Sequence, residues 1–356
     1  MNQVETKAPR RARLGVDLAM LTVIGLLLVA AIGAGGATLY QQFYGPSAFV
    51  TRYLDLLSAG RAADALRIPG VAIDRETLAQ AGVDAGASEA MLRHAALAPL
   101  SDIHVDSEKP VDGGTAVTVS YQAGGHEGTT TFLVAQDGWV GVTPNWRFMT
   151  SPLAVVDLTL RGADQFAVNG FEVDRRQISA DGAEAGALDP LSLLVFTPGL
   201  YSVTVDTAIA EATGIGVLAD TPLAITPLDV QTTPTKEFVG VVQERVEEFL
   251  TQCTAQEVLQ PTACPFGLQV SNRIASLPKW SIAEQPQVTV APDGGHWQIP
   301  PADAVAHVEV EIKSLFDGSV EAVSEDVPFQ VNGSILILPN GSASIRVGSP
   351  GEPAGD

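Results

Sequence analysis

Two cysteines stand in the 356-residue chain, Cys253 and Cys264, within the stretch FLTQCTAQEVLQPTACPFG. Paired sulfurs admit a metal site, a thiol nucleophile or a cross-link. A zinc centre needs two further ligands, and the histidines of the C-terminal third, His296 and His307, fall at no ligand spacing. A nucleophilic thiol needs a base beside it, and no Cys–His signature is present. Where thiols oxidise, the simplest outcome is a Cys253–Cys264 disulfide, and a loop of this size is worth roughly 2–3 kcal/mol in the chain-entropy picture.

Other chemistry is sparse. The five histidines are scattered. Ser276-Leu277-Pro278-Lys279 fits the S-x-x-K pattern of penicillin-interacting enzymes, but Pro278 disfavours the helix that would align Ser with Lys, and the companion motifs are missing. Gly214, Gly216 and Ala219 imitate a dinucleotide fingerprint without a βαβ unit around them. The acid pairs Glu247/Glu248 and Glu325/Asp326 read as solvated faces. Trp139, Trp146, Trp280 and Trp297 sit near strand ends; they read as core, with a pocket lining as the alternative. The residues therefore point away from an enzyme, with no catalytic set, no metal site and no cofactor expected.

Residues 18–40, LAMLTVIGLLLVAAIGAGGATLY, carry no charge, and a helix of that length covers a bilayer core. Lys7, Arg10, Arg11 and Arg13 precede it, and no basic residue follows until Arg52. The charge rule then predicts a single-pass membrane protein with a cytoplasmic stub (1–17), a transmembrane helix (18–40) and the bulk outside the cytoplasm. A cleaved signal peptide is the rival. The pairs Ala30/Ala34, Ala31/Gly35 and Gly33/Ala37 have the spacing that lets two membrane helices approach, which suggests a homodimer through the span. With 20 basic and 41 acidic residues, a net of −21, nucleic acid is excluded as a partner.

Beyond the span the patterns predict successive domains. Over 46–150, Phe49, Val50, Tyr53, Leu56, Leu57 and Leu66 recur at helical spacing before alternating strands, giving an α+β unit. Residues 151–222 read as a small β-sandwich, with an Asn169-Gly170 hairpin turn and a Pro198-Gly199 turn. A proline-rich linker follows at 223–235. Residues 236–348 again place helix before strands, with Phe238, Val242, Val246, Phe249, Leu250 and Cys253 on one face. Asn332-Gly333 reads as a hairpin turn like Asn169-Gly170, and 349–356 as a disordered tail.

The basic stub and span, Trp146-Arg147-Phe148, Val168-Asn169-Gly170, Pro198-Gly199 with Tyr201, and Cys264-Pro265-Phe266-Gly267 with Trp280 resemble actinobacterial single-pass envelope proteins. More loosely, they resemble teicoplanin-resistance-associated membrane proteins. The resemblance implies NTF2/cystatin-like folds for the α+β units at 46–150 and 236–348, flanking the small all-β domain. It departs from the latter family in lacking a cytoplasmic zinc ribbon. Together these expectations describe a cell-envelope protein whose non-enzymatic exported domains bind a wall component, a small ligand or a protein partner. The alternatives are a scaffold for a membrane complex or, further off, an enzyme using an NTF2-like cavity.

Overall fold

The computed structural model describes residues 18–29, 40, 42–141, 143–186, 188–338 and 342–348. The expected cytoplasmic stub, the small-residue pairs from Ala30 to Ala37 and the expected tail lie outside them. Among the described residues no helix is long and apolar enough to cross a membrane. This corrects the expected transmembrane helix over 18–40, and with it the cell-membrane, single-pass localisation and the assignment of an extracytoplasmic bulk that rested on it.

The fold class is corrected as well. Strand takes 47% of the chain against 22% helix, in several sheets. The expected pair of α+β domains around a small β domain gives way to two compact units. Unit one takes the chain up to Ile73, Pro99–Pro152 and Asp220–Pro222; unit two takes Asp74–Ala98, Leu153–Ala219 and the chain from Leu223.

In unit one, helix α1 (Pro46–Ser58) starts at a proline in its first turn, where the missing N–H costs no hydrogen bond. Its buried residues Phe49, Val50, Tyr53, Leu54 and Leu57 form one stripe. They meet a four-stranded antiparallel sheet of β1 (Leu100–Val111), β2 (Gly114–Ala123), β3 (His126–Val140) and β4 (Thr143–Phe148). Strict alternation in β2 turns Val117, Val119, Tyr121 and Ala123 inward. Tyr53 packs edge-on to Phe148, with ring centroids 5.2 Å apart, and to Phe132 at 6.0 Å.

Unit two has three sheets. Strand β5 (Leu153–Arg161) lies between β11 (Ile225–Gln231), which runs parallel to it, and the antiparallel β8 (Leu191–Phe196). Strands β6 (Gln165–Val168), β7 (Phe171–Asp174), β9 (Gly199–Asp206), β10 (Ala210–Ala219) and β12 (Thr233–Pro234) form a second sheet in the order β12-β10-β9-β6-β7. The third is built on β16 (His296–Lys313) and β17 (Val320–Ile337). Strands β13 (Arg273–Ile274), β14 (Lys279–Glu284) and β15 (Ala291–Asp293) pair with β16, and β18 (Ala343–Gly348) pairs with β17. The expected linker over 223–235 is therefore mostly β11, and Pro227 is tolerated because β11 is an edge strand.

Strand β16 shows how one 18-residue strand keeps its apolar side inward. Trp297 and Ile299 are buried at odd positions, whereas Ala302, Ala304, Ala306, Val308 and Val310 are buried at even ones. The parity changes at a bulge between Ile299 and Ala302, where Pro300 and Pro301 supply no N–H to the ladder. One hydrophobic core runs from Val156 and Leu158 on β5 to Val331 and Ile335 on β17. Helix α2 (Lys236–Thr254), capped by the Thr235 hydroxyl accepting from Phe238 N–H, adds Phe238, Val242, Val246, Leu250 and Cys253 to that core. Cys253 and Cys264 are disulfide-bonded, with Cα atoms 5.8 Å apart.

The Asn169-Gly170 turn is present, with φ of 50° and 85° joining β6 to β7. Asn332 and Gly333, expected as a similar turn, instead lie inside β17, paired with Gly348 and Val347 of β18. A Cβ on Gly333 would sit 2.5 Å from the Arg346 carbonyl oxygen, so glycine there answers close strand packing.

Tyr201 is buried on β9; it accepts from Phe196 N–H at 2.9 Å and donates to Phe196 O at 3.1 Å. Burial raises its pKa above the usual phenol value. Its contribution to stability is thus complete below the unfolded pKa near 10 and lost as pH climbs toward the folded one. Tyr201→Phe is expected to lower stability by about 1–2 kcal/mol at neutral pH and to flatten this alkaline loss. Urea unfolding at pH 8 and pH 10.5 measures both; an unchanged alkaline slope would refute the assignment.

Candidate functional site

The residues expected to do chemistry fall in separate places. Trp139, 63% exposed, and Trp146, whose indole N–H donates to Tyr44 O at 2.8 Å, belong to unit one. Trp280 and Trp297 are buried in unit two. Trp280 donates to Val258 O at 2.8 Å and packs 4.9 Å from Phe266, whereas Trp297 packs edge-on to Phe238 at 6.0 Å. None of the four lines the cleft described next.

That cleft, of about 380 Å³, lies on the sheet formed by β6, β7 and β9 in unit two. Register explains its lining. Glu172, Ala167 and Thr204 make one cross-strand row, and Asp174 pairs with Gln165 in the next, toward Asp206. Ala167 leaves a depression between larger neighbours. Gln177, on the helical turn Arg175–Ile178, and Thr207, after β9, close the ends.

Contacts beside the cleft hold the turn between β6 and β7. The Asn169 side chain donates to Ala96 O and Leu200 O, both at 2.8 Å, and accepts from Ser202 N–H at 3.0 Å. Arg93 lies over the Phe171 ring, 4.7 Å from its centroid. Buried Arg175 donates to Asp189 O, which anchors the helical turn that carries Gln177.

Three carboxylates face the cleft: Glu172, Asp174 and Asp206. Asp174 is bound by Arg176 at 2.7 Å and caps its N–H at 2.9 Å. The Arg176 hydrogen bond holds the Asp174 carboxyl below the usual carboxylate range. Glu172 and Asp206 are exposed. The cleft's carboxylates, with the amides of Gln165 and Gln177 and the hydroxyls of Thr204 and Thr207, offer acceptors and donors to a cation that carries hydrogen-bonding groups. Among the described residues no group of three His, Cys, Asp or Glu is placed to hold a metal ion.

A second cluster was not legible from spacing. On the solvent face of the β16–β17 hairpin, His307 Nδ1 lies 2.6 Å from Asp326 Oδ1, and His307 Nε2 lies 3.1 Å from Ser324 Oγ. In the tautomer that donates Nδ1–H to Asp326, Nε2 accepts from the Ser324 hydroxyl, the polarity of a nucleophile–base–carboxylate relay. The only signal that could have found it is cross-strand register: His307 is paired with Asp326, and Glu309 with Ser324.

Comparison with protein-family models, curated proteins and solved structures finds no match.

Proposed function

We propose that this chain is a non-enzymatic binding protein whose β6–β7–β9 cleft takes a positively charged group, either of a small ligand or of a partner's side chain. The observation that carries this reading is the presence of exposed Glu172 and Asp206 in the lining of one cleft of about 380 Å³ that also contains the small Ala167. A guanidinium suits such a site, because its fork can donate to more than one carboxylate. Gln165, Gln177 and Thr204 supply neutral hydrogen-bonding groups around it.

Agmatine titrated into the full chain is expected to shift the amide resonances of Ala167 and Thr204. Combining Glu172→Gln with Asp206→Asn is expected to weaken binding by about tenfold or more, equivalent to 1.4 kcal/mol. Silent resonances at those positions, or equal affinity in the double variant, would reject the reading.

The Ser324–His307–Asp326 cluster favours a second reading, acyl transfer from an ester to Ser324 Oγ. A fluorophosphonate probe decides it. Under the binding reading, Ser324 labels no faster than other surface serines. Selective labelling of Ser324 that His307→Gln abolishes would instead establish an activated nucleophile.

A further inference from the structure

Strand β17 is paired unevenly. On one side β16 accompanies it from Trp297 through Lys313, opposite Val320–Ile335. On the other side β18 pairs only from Asn332 to Ile337. Among the described residues, the stretch Val320–Val331 therefore has a neighbour on one side alone. In an antiparallel ladder alternate residues turn their N–H and C=O away from the partner. This edge extends for roughly 40 Å at about 3.4 Å per residue, and its outward groups form a template for another strand.

Its charges select among occupants. Asp326 lies on the His307 face, whereas Glu321 and Glu325, opposite Ile312 and Val308, lie on the other; all three are exposed. A strand added here meets carboxylates on both of its faces. A second copy of this chain, docked edge to edge, would set acid against acid, and like charges placed opposite each other destabilise pairing. The chain's own residues 349–356 match poorly in sequence, since Glu352 and Asp356 repeat the charge and Pro350 and Pro353 lack N–H donors.

We infer that the free edge of β17, from Val320 to Val331, docks an extended, Lys- or Arg-bearing peptide segment of a partner protein by strand addition. Backbone pairing supplies the attachment, and Glu321, Glu325 and Asp326 select basic side chains. This site is separate from the β6–β7–β9 cleft, and Glu172 and Asp206 have no role in it.

The probes are fluorescein-labelled peptides of seven residues read by anisotropy with the full chain: one alternating Lys and Val, one alternating Glu and Val, and a Lys/Val peptide N-methylated at every second residue. The Lys/Val peptide is expected to bind at least about tenfold more tightly than either of the others. In the double variant Glu321→Lys, Glu325→Lys, both at exposed positions, preference is expected to shift toward the Glu/Val peptide. Circular dichroism verifies that this variant remains folded; if it does not, the N-methyl comparison on the unaltered chain decides alone. Equal binding of methylated and unmethylated peptides would show charge attraction without strand addition, and failure of the Lys/Val peptide to bind at all would remove the site. Either result overturns the inference. Glu172→Gln with Asp206→Asn is expected to leave this binding unchanged, so failure here is distinguishable from failure of the cleft.

Discussion

Replacing Trp297 by alanine is expected to destabilise unit two by about 3–5 kcal/mol, the cost of a large cavity in a packed core. Trp297 is 2% exposed, and its indole packs edge-on to Phe238 at the start of α2. Gly162, just after β5, lies against the same ring; a Cβ there would stand 3.0 Å from Trp297 Cζ2 and 2.5 Å from Thr232 Oγ1. With φ at +87°, Gly162 also occupies a conformation that disfavours any side chain. The indole thus joins β16, α2 and the end of β5, and its loss would open a void bordered by three elements. Urea denaturation followed by far-ultraviolet circular dichroism measures the effect. A cost below about 1.5 kcal/mol would mean that the neighbours collapse into the space and that the core is less continuous than described.

Breaking the Cys253–Cys264 bond is expected to lower stability by about 3 kcal/mol, from the loop-closure entropy of a sequence separation of 11. Cys253 is 1% exposed at the end of the buried stripe of α2, so the bond fastens the following loop to the core. Nearby, Phe266 packs 4.9 Å from Trp280 and 5.1 Å from Phe329. Unfolding with and without dithiothreitol measures the loss directly, and Cys264→Ala separates it from any cavity at Cys253. If the reduced protein and Cys264→Ala both remain within about 1 kcal/mol of the oxidised form, the packing around Phe266 holds the loop without the bond.

Local signals in the sequence located what local physics determines. Helical periodicity found α1 and α2, alternation found β2, and the Asn169-Gly170 dipeptide found a turn that needs two positive φ values. The failures arose where pairing decides. Prolines made 223–235 look like a linker, but Pro227 is accommodated because β11 has only β5 beside it. Asn332-Gly333 repeats the hairpin dipeptide, yet β16 and β18 hold it extended. The apolar composition of 18–40 suggests a span, whereas no helix among the described residues is long and apolar enough to cross a membrane. Of the cleft nothing was legible, since Glu172, Asp174 and Asp206 meet only through the register of β6 with β7 and β9. Of the four tryptophans, Trp280 and Trp297 are buried, as a core reading of their size and apolar character expects.

The order in which the two units use the chain has a consequence for how this protein can be cut. Unit two holds Asp74–Ala98 as well as the chain from Leu153 to Ala219, with unit one's Pro99–Pro152 encoded in between. Ser88 N–H donates to Ser192 O at 2.8 Å and Ser88 O accepts from Leu194 N–H at 2.9 Å, while Met91 is fully buried in the same core. A gene fragment opening at Leu153 would leave β8 without that bridge and the core without that side chain. Neither unit is one uninterrupted stretch of chain, so no single cut can release both of them whole.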